Sequence, residues 1–269
     1  MKPARIAGVE IGGPEPEPVF IAGPCAIESE GSVREIAGFL AGLRSRGAKI
    51  VMKLSYDKPN RTSADSYRGP GIKEGLKIIR DVRREWNLPV LVDIHSSEEA
   101  SQAAREADCL QIPAFLCRQT PLLEAAGKTG LPVNIKKGQF MSPRAMGYQA
   151  EKAVKAGAPG IIFTERGFSF GYGDLVVDMR SIVVMKGFGY PVLFDATHSQ
   201  QSPPSGGAET GGNRQFILPL ALAARAAGAN GIYCEVHPNP QEAESDRSTQ
   251  LSFGEFEVLV NEVSMLQSR

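Results

Sequence analysis

The chain has 269 residues, 42% of them hydrophobic, and its 30 basic and 30 acidic side chains cancel to a formal net charge of zero. That is the makeup of an ordinary globular protein, with no charge excess to draw nucleic acid or an anionic membrane surface, so any basic site must be local. No stretch reaches the roughly 18 apolar residues of a membrane span, and MKPARIAGVE lacks the unbroken apolar core of an export signal, so a cytoplasmic protein without membrane contact is expected. Cys25, Cys109, Cys117 and Cys234 are too sparse for a disulfide scaffold and are expected to be reduced.

Residues 1–18, ending in a Gly/Pro/Glu-rich run, predict a short hairpin or strap ahead of the main fold. From there short apolar runs alternate with helical patterns. Strands are expected at 19–22, 49–55, 89–94, 109–112, 132–137, 160–164, 191–195 and 231–236. Helices are expected near 32–46, 72–86, 97–106, 119–129, 143–156, 177–187, 212–227 and 251–267, several of them ended by Gly47, Gly130, Gly157 or Gly228. A strand-then-helix unit repeated eight times predicts one α/β domain over 1–269, a (β/α)8 TIM barrel. An open doubly wound sheet fits less well, because no glycine-rich phosphate loop follows the first strand. No linker divides the chain.

In a barrel, alternate strand residues face the interior, and those near the strands' C-terminal ends reach the site. Those positions are polar here: Lys53 and Ser55, Asp93 and His95, Gln111, Asn134 and Lys136, Arg166 and Glu235, with Lys58 and Arg61 in the following loop. Inward lysines need anions to offset desolvation. Salt bridges with Asp93 or Glu235 are one source; an anionic ligand, best a phosphate, is the other, and the number of converging cations favours the ligand. Long connections after the second and seventh strands belong on the same face, and the Ser/Gly/Pro content of 199–213 predicts a closing flap.

Cys25 follows a Gly-Pro break after the first strand, His198 follows the seventh, Glu235 ends the eighth and Asp246 lies in the next loop. Strand eight of a closed barrel neighbours strands one and seven, so the four can converge as a thiolate, imidazole and carboxylate site for a divalent transition metal such as Zn, Fe or Mn. Packing is the competing role for a lone cysteine. Cys234 is expected to face the helices, with Cys109 core in the same way, and His237 to lie past the strand end.

IAGPCAIES, DKPNRTS, QIPAFLCRQT, NIKKGQF, TERGFSFGY and DATHS, in this order and spacing, resemble the 3-deoxy-D-manno-octulosonate 8-phosphate synthase family from the first strand to the last helix. The resemblance implies an aldol-type condensation of phosphoenolpyruvate with D-arabinose 5-phosphate, releasing phosphate, in lipopolysaccharide biosynthesis. It also implies a (β/α)8 barrel assembled as a homotetramer. It places Lys136, Arg166, Gln111 and the backbone of Ala114 at the phosphoenolpyruvate phosphate, and Lys58 and Ser55 at its carboxylate with Lys53 close by. Asn60 and Asp93 fall at the sugar hydroxyls; Arg61, Thr62 and Ser63 fall at the pentose phosphate, with Arg118 reaching from a neighbouring subunit. Cys25, His198, Glu235 and Asp246 match the metal-dependent class, whose metal-free counterpart carries Asn at the Cys25 position.

Two residues depart from the pattern: Pro59 stands where the family usually has Ala, and Tyr56 where it often has Phe. A Lys-Pro pair also belongs to the sister 3-deoxy-D-arabino-heptulosonate 7-phosphate synthases, which use erythrose 4-phosphate. There Pro runs directly into Arg, whereas Asn60 intervenes here. The sister activity, a Schiff-base aldolase using Lys136, and a non-catalytic phosphosugar-binding barrel are the alternatives.

Overall fold

The computed structural model describes residues 1–13, 17–59, 66–171, 173–202 and 211–266. It opens with β1 (Ala4–Ile6) and β2 (Val9–Ile11), an antiparallel hairpin pairing Ala4 with Ile11 and Ile6 with Val9. Ala7 and Gly8 between them both have positive φ (42° and 87°), the geometry of a two-residue turn whose twist matches its strands. Alternation divides the hairpin's faces: Ala4, Ile6, Val9 and Ile11 are buried, while Arg5 and Glu10 pair on the outer side at 2.7 Å.

The chain then runs through β3 (Val19–Gly23), α1 (Glu30–Ser45), β4 (Lys49–Leu54), α2 (Ile72–Trp86), β5 (Val90–Asp93), α3 (Ser97–Ala103) and β6 (Cys109–Ile112). It continues with α4 (Thr120–Lys128), β7 (Val133–Lys136), α5 (Met146–Ala156), β8 (Ile161–Glu165), α6 (Arg180–Lys186) and β9 (Val192–Asp195). A two-residue ladder joins β10 (Gln201–Ser202) to β11 (Gly211–Gly212), and α7 (Ile217–Ala226), β12 (Gly231–Glu235) and α8 (Phe253–Met265) complete it. The strands β3 to β9 and β12 close into a parallel barrel in which β12 lies between β9 and β3. Local signals set several helix starts: the Ser29 hydroxyl accepts the Ser32 N–H at 3.1 Å, and Ser252 with Glu255 forms a reciprocal capping box on α8.

Two apolar layers hold the barrel. Outward strand residues such as Phe20, Met52, Val92, Leu110, Phe163 and Cys234 pack against the helices. The inner cluster joins Ile21, Val51, Leu91, Cys109, Ile162, Leu193 and Tyr233 to the buried face of the hairpin, which plugs the N-terminal end. Cys234 thus faces the helices as expected. Cys109 is core but faces the barrel interior instead, because it shares its strand's parity with Gln111.

Candidate active site

Two residues beyond six strand residues of the inner apolar layer, the same strand face turns polar: Val51 leads to Lys53, Leu91 to Asp93, Cys109 to Gln111, Ile162 to Thr164, Leu193 to Asp195 and Tyr233 to Glu235, while Ile21 leads to Gly23. With Asn134 and Lys136 from β7, all are buried at the C-terminal mouth. Buried polar groups on this scale demand partners. A chain of them runs across four strands. Thr164 Oγ1 donates to Asn134 Oδ1 (2.8 Å), Asn134 Nδ2 to Gln111 Oε1 (2.7 Å), and Gln111 Nε2 to Asp93 Oδ1. Asp93 Oδ2 accepts the Ser55 hydroxyl and the Lys58 ammonium, the latter at 3.0 Å.

The opposite side is ionic. Lys136 Nζ donates to Asp195 Oδ2 at 2.6 Å and sits 3.7 Å over the Tyr233 ring. His198 Nδ1 lies 2.8 Å from Asp195 Oδ2, off the line of a hydrogen bond, and its Nε2 lies 3.3 Å from Glu235 Oε1. Lys53 Nζ donates to Glu235 Oε1 (3.1 Å), Pro24 O (2.9 Å) and Cys25 O (2.7 Å), so its three protons are committed. Gly23 is what allows this approach, since a Cβ there would stand 1.9 Å from the Lys53 carbonyl oxygen. The Gly-Pro-Cys break is thus the place where the end of β3 lies tightly beside the end of β4.

These contacts fix the charges. Burial pushes the Glu235 carboxyl upward, but His198, Lys53, Lys58 and Lys136 outweigh it and hold it at about 2. Burial opposes ionisation of Asp93 and Asp195 as well; Lys58 and Lys53 hold the first far below its ordinary range, and His198 and Lys136 the second. Burial pushes Lys53 down, with Lys58 adding to the shift.

The expectation that converging cations outnumber internal partners is corrected for the lysines. Lys53, Lys58 and Lys136 each meet a carboxylate, because closure brings Asp195, not weighed as a partner in the sequence, opposite Lys136. Arg166 is different. It is buried, Nη2 donates to the neutral Gln201 Oε1 at 2.8 Å, and Nη1 has no hydrogen-bond partner among the described residues. A desolvated guanidinium edge with no acceptor is suited to a phosphate or carboxylate from a ligand.

Cys25, Glu235 and Asp246 each place a donor atom within 4.8 Å of the others, and Cys25 Sγ donates to Asp246 Oδ2 at 3.0 Å. His198 borders this trio through Glu235. The set of one sulfur, two carboxylates and an adjacent imidazole fits a divalent transition metal, the thiol's proton standing where a cation would replace it. Gln201 joins this set to the arginine, donating from Nε2 to Asp246 Oδ1 at 3.0 Å. Ala114 is buried and opens the turn after β6, and Arg118 is exposed at that turn's end. Asn60, Arg61, Thr62 and Ser63 lie outside the described residues, as do 203–210 of the expected flap, whose base is the β10–β11 ladder. Missed in the sequence were Asp195, Gln201 and the buried Lys137–Glu165 pair; Asp195 was legible as the inward residue two beyond Leu193.

The sequence model of the DAHP synthetase I family matches residues 3–268. The chain belongs to the DAHP synthetase I family. Within that family, it is 48% identical to a Pelobacter propionicus protein over 256 residues, covering 95% of this chain and 94% of the relative. A Koribacter versatilis protein is 49% identical, covering 93% and 91% of the two chains. A Geotalea uraniireducens protein is 46% identical over 269 residues, 100% and 98%. All three family members are named 2-dehydro-3-deoxyphosphooctonate aldolase.

Proposed function

We infer that the chain is a 3-deoxy-8-phosphooctulonate synthase, condensing phosphoenolpyruvate with D-arabinose 5-phosphate and water to give 3-deoxy-D-manno-octulosonate 8-phosphate and phosphate. The name shared by relatives of 46–49% identity over nearly the whole chain supports this over the heptulosonate activity. The observation that carries the reading is the buried Arg166 edge with no acceptor among the described residues, an anion site in a mouth whose lysines are internally neutralised.

Arg166, Lys136, Gln111 and the backbone at Ala114 take the phosphoenolpyruvate phosphate; Lys58 and Ser55 take its carboxylate, with Lys53 holding the frame behind them. Asp93 and Asn60 hold sugar hydroxyls, and Arg61, Thr62 and Ser63 hold the pentose phosphate. Fixing C3 of the enol against the aldehyde carbon turns a bimolecular encounter into a local one. The new C–C bond uses the enol π pair, and the carbonyl oxygen gains a proton, with the His198 imidazole placed to move it. Positive character at C2 is favoured by Asp195 and Glu235, both ionised, before water adds there and phosphate leaves. Cys25, His198, Glu235 and Asp246 would hold a divalent metal, which supplies Lewis acidity towards a carbonyl or a water oxygen.

Four copies assembled so that Arg118 serves a neighbour's pentose phosphate fit its exposure. Among the described residues no helix is long and apolar enough to cross a membrane, and a cytoplasmic enzyme of lipopolysaccharide precursor synthesis accords with this. Phosphate release with arabinose 5-phosphate or erythrose 4-phosphate, with and without a chelator, tests the reading. Turnover of the pentose that chelation abolishes is expected; faster turnover of the tetrose overturns the substrate.

A further inference from the structure

Adjacent lysines at the end of β7 have opposite fates. Lys136 points into the mouth; Lys137, one residue past the strand, turns the other way and is also fully buried. Its backbone N–H continues the ladder to Thr164 O at 2.8 Å, which sets its side chain beside the end of β8. Nζ there lies 3.2 Å from Glu165 Oε1, donates to Gly167 O (3.1 Å) and Gly138 O (3.3 Å), and sits 3.6 Å over the Phe168 ring.

Glu165 is equally committed. Oε1 accepts the Gly167 N–H at 2.7 Å, and Oε2 accepts the hydroxyl of Ser181, in the first turn of α6, at 2.5 Å. Both backbone polar groups of Gly167 are thus held, one by each member of the pair, in a left-handed conformation (φ +90°). The residue bracketed between Glu165 and Gly167 is Arg166. At its other end Lys137 holds Gly138, where a Cβ would stand 3.0 Å from the Ala114 carbonyl oxygen. One ammonium therefore ties together the segment bearing Arg166 and the segment packed on Ala114.

A buried ion pair replaced by well-packed apolar groups is often neutral for stability, so stability alone does not require one. We propose that the Lys137–Glu165 pair is a positioning device: it sets the backbone on either side of Arg166 and the Gly138–Ala114 contact, and thereby the geometry of the anion cradle. This rests on the reading that Arg166 and Ala114 receive the phosphoenolpyruvate phosphate. Neither Lys137 nor Glu165 touches the substrate. Their effect is expected on the affinity for one substrate and not the other.

The test is a double substitution, Lys137→Met with Glu165→Gln, which removes both charges together and keeps an acceptor for Gly167 N–H. Calorimetric titration with phosphoenolpyruvate should give a dissociation constant raised about tenfold. Steady-state assays should give the same rise in its KM, with the arabinose 5-phosphate KM within about twofold. Unchanged phosphoenolpyruvate affinity, or an equal loss for both substrates, overturns the proposal. If the double variant does not fold, Ser181→Ala decides, because it leaves both charges in place and removes the Glu165 Oε2 contact together with the hydroxyl's contact to Asp178 O. A rise of about threefold confined to phosphoenolpyruvate supports the device, and two unchanged KM values refute it. Arg166→Ala separates the two claims. If it leaves phosphoenolpyruvate binding intact, the underlying reading of the site falls; if it abolishes binding while the other variants do nothing, only the positioning role falls.

Discussion

Lys53→Met removes a fully buried ammonium and leaves Glu235 in place. Among the described residues the carboxylate then keeps His198 Nε2, 3.3 Å away, as its ion-pair contact, with Lys58 and Lys136 acting from farther off, and the carbonyls of Pro24 and Cys25 lose the Lys53 donor. Breaking a buried pair from one side costs about 3–5 kcal/mol, because the remaining charge is stranded away from water. For a chain of this size each kcal/mol moves Tm by about 2–4 °C, so the expected fall is on the order of 6–20 °C. Scanning calorimetry at neutral pH measures it, with the Lys53→Met/Glu235→Gln double variant beside it. That second change removes the stranded charge and should recover more than half of the lost Tm. A single variant that melts within about 2 °C of the parent would refute the reasoning, as would a double variant less stable than the single.

Tyr56→Phe introduces the residue often found there in the family the motifs resemble and deletes the bond from its hydroxyl to Glu99 Oε2 (2.6 Å), leaving that oxygen the His95 N–H at 2.8 Å. Burial works upward on Glu99 but is outweighed by His95 and Tyr56, which hold it at about 2, so its stabilisation is complete above the unfolded value of about 4.3 and lost as pH falls towards 2. Denaturant titration should show a loss of about 1 kcal/mol at pH 7 that shrinks below about pH 4, and a pH-independent loss contradicts this. Arg61→Ala should raise the pentose KM far more than the phosphoenolpyruvate KM; equal increases count against its placement at the pentose phosphate. Cys25→Asn should bind metal weakly by equilibrium dialysis yet keep some chelator-resistant turnover, whereas His198→Ala keeps little of either, and a Cys25→Asn protein with parental metal affinity removes the thiol from the ligand set.

Periodicity carried most of the architecture. All eight barrel strands lie within about a residue of their expected bounds, and Ile72–Trp86 falls where it was expected. Strand parity predicted which side of β12 takes Glu235 and which Cys234, and barrel closure predicted that β12 meets both β3 and β9. The errors have a common origin in long-range pairing. Nothing local distinguishes a lysine awaiting a ligand from one that will meet Asp195 across the barrel, nor shows that Lys137 and Glu165, 28 positions apart, will find each other behind Arg166. Helix ends were the other weak point: the expected helix at 177–187 spans only Arg180–Lys186, because Asp178 and Met179 form a turn whose carbonyls accept Ser181 and Ile182 N–H.

The most direct test of the proposed activity is a competition in one tube. Purified protein loaded with a divalent transition metal is given phosphoenolpyruvate with equal concentrations of arabinose 5-phosphate and erythrose 4-phosphate, and the products are resolved by mass while released phosphate is counted. The account predicts the eight-carbon 3-deoxy sugar phosphate as the main product, one for each phosphate released. A seven-carbon product in excess, or phosphate released without a new carbon–carbon bond, would contradict it.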